Sequence, residues 1–154
     1  YSEALLKGLV AAGTSIPARG GAALLTVADN DKQELLPLAS VIAALGYDIY
    51  ATPGTANLLN FNCIAASRVN KIGAKSPNIE ELFDSGSLRL VINTPTKGRN
   101  AGRDGFKIRR MAVERRIPCF TSLDTARAVL EGLRLGKTDK DLAVLSLSEL
   151  EALP

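Results

Sequence analysis

Thr52-Pro-Gly-Thr55 is the stretch of this chain whose residue types and spacing come nearest to a binding chemistry. Gly54 lets the backbone turn close against a ligand, and the N–H groups at the start of a following helix point outward. Hydroxyls from Thr52 and Thr55 add donors to the same place. Hydroxyls, helix-terminal amides and a nearby ammonium are the parts of a phosphate cradle. A plain turn with a threonine N-cap accounts for the same four residues, so the motif alone leaves both readings open. Lys32 and Lys71 are the candidate ammonium groups, compact mobile charges suited to phosphate. Asn93, Thr94 and Thr96 add short polar groups, and Lys97 and Arg99 add charge.

Several other chemistries lack their residues. The 154 residues include no histidine, which removes imidazole acid–base catalysis and most mixed-ligand zinc or iron sites. Two cysteines, Cys63 and Cys119, are too few for a disulfide scaffold or a thiolate zinc site. Both read as small core residues of a reducing compartment, the cytoplasm. Cys63 has no evident base to make it a nucleophile. There is no GxxxxGK[ST], no GxGxxG after the first apolar run and no HExxH. Asp29 and Asp31 are read as helix caps and not as metal ligands. Asp104 is read as a cap or as a partner of Arg103 or Arg109, with a general base as the alternative. No catalytic residue and no metal site are expected.

Charge narrows the ligand class. Residues 68–116 hold 12 basic groups against 5 acidic, whereas 1–67 hold 3 against 5 and 117–154 hold 4 against 6. A basic concentration of that kind faces an anion or forms a solvated face. Nucleic acid is not expected, because only Phe106 lies near the row Arg103, Lys107, Arg109, Arg110, Arg115 and Arg116. An apolar fraction of 46% excludes a disordered segment. No run approaches about 18 apolar residues and no charged start precedes an apolar core, so neither a membrane span nor a secretory peptide is expected.

Short apolar runs and helical patterns alternate along the chain. Leu5, Leu6, Leu9 and Val10 mark a helix that Gly13 ends, and Ser15 to Gly21 reads as a linker. That piece looks like the tail of a larger unit, with the main domain occupying residues 22–154. Strands are expected at Ala22–Ala28, Tyr47–Ala51, Ala65–Val69, Leu88–Ile92 and Ile117–Phe120, with a further one at Val144–Leu147. Helices are expected after Asp29–Asp31 (with Leu35, Leu38, Ile42 and Leu45 inward), after Thr55 (with Leu58, Leu59 and Phe61), and over Pro77–Asp84, Lys107–Arg115 and Ser122–Leu133. Such alternation means an α/β fold, a three-layer α/β/α sandwich on a mainly parallel five-stranded sheet of Rossmann type. In such sheets ligands sit beyond the carboxyl ends of the strands. Lys32, Thr52, Thr55, Lys71 and Asn93 then share one rim, and an anionic small molecule is the expected ligand.

Ala23-Leu-Leu-Thr-Val27, Asp31-Lys32, Ala51-Thr-Pro-Gly-Thr-Ala56, Val69-Asn-Lys71, Val91-Ile-Asn-Thr94 and Ile108-Arg-Arg110 together resemble the methylglyoxal-synthase-like domain. More narrowly they resemble the carboxyl-terminal regulatory domain of the carbamoyl-phosphate synthase large subunit. Residues 1–21 are similar to the end of that subunit's preceding ATP-grasp synthetase unit and its linker. The resemblance implies a nucleotide monophosphate effector of UMP or IMP type. Thr26, Lys32, Thr52, Thr55, Lys71, Asn93 and either Thr94 or Thr96 match its phosphate-contacting positions. Arg99 and Thr121 match effector or inter-domain positions less closely, the latter where some relatives have an ornithine site. Pro53 and Pro95-Thr-Lys97 depart from some members.

The resemblance also implies a parent ligase that uses ATP with Mg or Mn, and a glutaminase small subunit as partner. The parent supplies carbamoyl phosphate to pyrimidine and arginine biosynthesis. No cofactor is expected in this domain. Two alternatives are a lyase acting on dihydroxyacetone phosphate and a stand-alone phosphometabolite-binding domain. The lyases of this family carry an aspartate after paired glycines and histidines around the site. Here the corresponding loop, Lys71-Ile-Gly-Ala-Lys-Ser-Pro-Asn78, has no carboxylate.

Overall fold

Ala22-Ala-Leu-Leu25 is apolar at every position because the strand it forms is covered on both faces. The computed structural model describes residues 17–95 and 102–135, together with Ala4, Lys7, Gly8 and Ala11. The elements follow as β1 (Gly21–Thr26), a single 3₁₀ turn (Asp29–Asp31), α1 (Lys32–Ala44), β2 (Tyr47–Ala51), α2 (Pro53–Phe61) and β3 (Ala66–Arg68). Then come α3 (Ile79–Asp84), β4 (Leu88–Asn93), α4 (Gly102–Glu114), β5 (Cys119–Phe120) and α5 (Leu123–Arg134). The strands form one sheet in the order β3-β2-β1-β4-β5, and each of its pairings is parallel. The expected fold class is the observed one. Leu5, Leu6, Leu9 and Val10 of the expected first helix and the strand at Val144–Leu147 lie outside the described residues.

Alternation along β1 divides the core. Ala23 and Leu25 pack with Leu35, Leu38 and Ile42 of α1, Leu59 of α2 and Leu130 of α5. Ala22 and Leu24 face the other way, onto Ile79 and Phe83 of α3 and Ile108 and Ala112 of α4. The chain therefore leaves β1 toward one face and β4 toward the other, which opens a crevice between the ends of these two strands.

Several boundaries and placements differ from the sequence expectation. Helix α4 starts at Gly102, five residues before the expected Lys107, because Gly102 and Gly105 are poor helix formers and hide the first turns. Phe61, expected with the apolar face of α2, is 87% exposed. Cys63 is exposed and not in the core. It sits just past α2 with φ of 61°, while Ile64 N–H reaches back to the Leu59 carbonyl and Cys63 N–H to that of Asn60. This is the Schellman stop, whose left-handed position ordinarily takes glycine. Arg116 plays the same part after α4, with φ of 55° and Ile117 N–H on the Ala112 carbonyl.

Both stops place a Cβ where L-residues are strained. Cys63→Gly and Arg116→Gly are each expected to raise stability, by up to about 1 kcal/mol after glycine's own entropy cost. Urea unfolding midpoints check this. A loss of stability in both variants would mean that the two turns are not left-handed.

Candidate functional site

At the carboxyl ends of β1, β2 and β4 lies a cavity of about 520 Å³, within the range of sites for small organic ligands. Its walls take Thr26 from the end of β1, Asn93 and Thr94 from the end of β4, and Thr52 to Thr55 from the start of α2. Lys32 enters from α1, Lys71 from the loop after β3, and Asp104, Gly105, Ile108 and Arg109 from α4. Seven of the residues expected in the site are thus brought together: Thr26, Lys32, Thr52, Thr55, Lys71, Asn93 and Thr94. Thr96 and Arg99 lie outside the described residues. Thr121 is exposed beyond β5 and does not line this cavity.

The first turn of α2 is open toward the cavity. Thr52 occupies the N-cap position without a side-chain capping bond, and Pro53 follows as the first helical residue. The first backbone bond of the helix runs from Ala56 N–H to the Thr52 carbonyl at 2.9 Å. Gly54 and Thr55 N–H therefore precede any intrahelical acceptor. Thr55 does not cap the helix. It is 1% exposed, and its Oγ1 has no hydrogen-bond partner among the described residues. A buried hydroxyl left unpaired costs stability.

Lys32 approaches the same turn. A Cβ at residue 54 would stand 3.1 Å from Lys32 Nζ, so the glycine makes room for the ammonium. That ammonium also lies 2.6 Å from Asp29 Oδ1. Asp29 is therefore an ion-pair partner and not a helix cap, and Asp31 makes no side-chain cap either. The hydrogen bond and charge of Lys32 hold the Asp29 carboxyl below the ordinary carboxylate range. Lys71 stands exposed at the mouth.

A hydrogen-bonded row forms the opposite wall. Asn93 Nδ2 donates to Thr26 Oγ1 at 2.7 Å, and Arg109 Nη1 donates to Asn93 Oδ1 at 2.6 Å. Thr94 Oγ1 accepts from Ala28 N–H at 2.8 Å, which pins the exit of β1 to the exit of β4. The sequence points to Asp104 as a helix cap or as a partner of Arg103 or Arg109, yet Arg109 is turned to Asn93. Asp104 forms no ion pair or hydrogen bond among the described residues. Burial pushes the Cys119 thiol up to about 11, against the opposing charge of Arg109.

Arg109 and Gly105 are not among the site residues expected from the sequence, yet both line the cavity. Ile108 and Ala112, one helical turn apart and both buried, mark the inward face of α4, and Arg109 flanks it. Lys107 and Arg110 of the same basic row are exposed, Arg110 against Glu114. Among the described residues no group of three acidic, cysteine or histidine side chains is placed to hold a metal, and no helix is long and apolar enough to cross a membrane.

Residues 34–121 match the MGS-like domain family. The chain belongs to that family. It is 42% identical over 146 residues to the carbamoyl phosphate synthase large chain of Clostridium botulinum (strain Langeland), covering 95% of this chain. It is 43% identical over 145 residues to that of Clostridium perfringens (strain SM101), covering 94%. In each case the matched part is 14% of the relative's length. Methylglyoxal synthase from Elizabethkingia anophelis shares the fold with a TM-score of 0.57 at 18% identity, over 75% of this chain and 80% of that one.

The orphan hydroxyl of Thr55 gives a direct check on this MGS-like site. In phosphate-free buffer, Thr55→Val is expected to stabilise the chain by about 1 kcal/mol or more, since it removes an unsatisfied buried polar group. Urea unfolding reads the effect. A clear destabilisation would show that the hydroxyl has a partner inside the protein.

Proposed function

We propose that the cavity binds the phosphate of a nucleoside monophosphate, and that this MGS-like chain is the effector-binding domain of a carbamoyl-phosphate synthase large chain. The observation that carries the reading is the buried Thr55 hydroxyl, without a partner among the described residues, in the open first turn of α2 and in the cavity that Lys32 and Lys71 also line. Two lysines, two hydroxyls and free backbone amides converge where a phosphate would form charge-assisted hydrogen bonds. The rest of the cavity, with Val27, Ile79 and Ile108 as apolar surface, leaves space for a nucleoside. Similarity to two large chains over nearly the whole of this sequence supports the parent assignment.

In this reading, residues 1–21 join the domain to a synthetase body, and a glutaminase subunit and ATP with a divalent metal belong to that parent in the cytoplasm. Thr96 and Arg99 would extend the effector contacts, and Thr121 would face the synthetase body or an ornithine site. The domain itself is read as non-catalytic: among the described residues its cavity offers Asp104 as the one unpaired carboxylate, and the chain has no histidine, for proton abstraction beside a carbonyl. With dihydroxyacetone phosphate the chain should release no methylglyoxal. Colorimetric turnover lost in Asp104→Asn would replace the regulatory reading with a lyase.

Lys71 is exposed, so its truncation should change folding stability by less than about 0.5 kcal/mol. Losing a charge-assisted contact should weaken monophosphate binding by roughly tenfold or more. In the parent synthase, Lys71→Ala should keep the basal rate and blunt the response to nucleotide, because the site acts through coupling between domains. Rates measured against nucleotide concentration decide the matter. A collapsed basal rate with an unchanged nucleotide response would overturn the assignment.

A further inference from the structure

Arg109 is a cation lining the cavity that binds a neutral amide, although the Asp104 carboxylate, on the same helix, lines that cavity too. Its partner Asn93 is 4% exposed and stands between a guanidinium and a hydroxyl. These two neighbours differ in what they demand. The Thr26 hydroxyl can donate or accept, so it tolerates either end of the carboxamide. A guanidinium only donates, so it tolerates the carbonyl oxygen alone. Turning the Asn93 amide over would set N–H against N–H at a distance of 2.6 Å.

Building on the anion reading, we infer that Arg109 is a positioning residue of this site. It fixes the Asn93 carboxamide so that an N–H, and not the oxygen, is offered to a bound anion. With Oδ1 held by Arg109 and Nδ2 2.7 Å from Thr26 Oγ1, the amide has one further N–H to give, and among the described residues Nδ2 meets only the Thr26 carbonyl besides, at a long 3.5 Å. In the reversed amide a carbonyl lone pair would occupy that place and repel an anion. Gly105 supports the same assignment independently. Glycine inside a helix is unfavourable relative to alanine. Here a Cβ would meet Arg109 Nη1 at 3.2 Å and Asn93 Oδ1 at 3.4 Å, so the missing side chain makes room for this one hydrogen bond.

The test is a double-mutant cycle on the 154-residue chain, with inorganic phosphate and UMP as calorimetric probes and thermal unfolding as a control. Arg109→Met and Asn93→Ala should each weaken binding by roughly tenfold. The double variant should be no weaker than Asn93→Ala alone, because Arg109 acts through Asn93. Multiplying losses would overturn the inference and make Arg109 a direct ligand. Should Arg109→Met not fold, Gly105→Ala serves: it keeps both partners, crowds their bond, and should lose affinity while remaining folded. Unchanged affinity in a folded Gly105→Ala variant would also overturn the inference. If the unmodified chain binds neither probe, the anion reading itself fails. Binding with additive losses removes only the role of Arg109.

Discussion

The hydrogen bond from Asn93 to Thr26, 2.7 Å long, spans the one place where this sheet divides. In the order β3-β2-β1-β4-β5 the connections from β1 and β4 leave toward opposite faces, so the backbone alone would gape between them. Backbone pairing continues up to Thr26 opposite Asn93. The side chains of these residues, with Thr94 on Ala28 N–H, carry the connection beyond it. Everything that lines the cavity hangs from that junction. The strand ends set the depth of the cavity, the open turn of α2 forms one wall, and the first turns of α4 form the other.

The electrostatics of the cavity follow from how its charges are partnered. Lys32 is balanced by Asp29, an exposed carboxylate. Arg109 is held by an amide, and Asp104 is without a partner among the described residues. Lys71 stands at the exposed mouth. A phosphate entering this arrangement meets one ammonium whose counter-ion is solvated, a second at the entrance, and a hydroxyl that has no other partner among the described residues. Such groups gain more from an anion than from each other, because charge-assisted hydrogen bonds are stronger than neutral ones.

Much of this was legible in the sequence, for physical reasons that vary by residue. The strands β1 and β4 are nearly uninterrupted apolar runs, as burial on both faces requires, and with the alternating helices they imply the parallel sheet. Once the strand ends are known, Lys32, Thr52, Thr55, Lys71 and Asn93 must share a rim. What was illegible depends on exceptions to local rules. Gly105 weakens the helix signal at the start of α4, for the sake of a contact that only the folded chain contains. Cys63 occupies a left-handed stop that glycine would announce. Phe61 looks like core by type, yet it falls on the outer side of a short helix. Arg109 resembles its basic neighbours until helix register separates them.

The central claim is that the cavity recognises a phosphate and not a bare nucleoside. Calorimetric titration of the 154-residue chain with UMP and with uridine, at the same ionic strength, tests it most directly. The account predicts that uridine binds at least tenfold more weakly than UMP, since the lysines, the hydroxyls and the α2 amides all address the phosphate. Equal affinity for the two would contradict it.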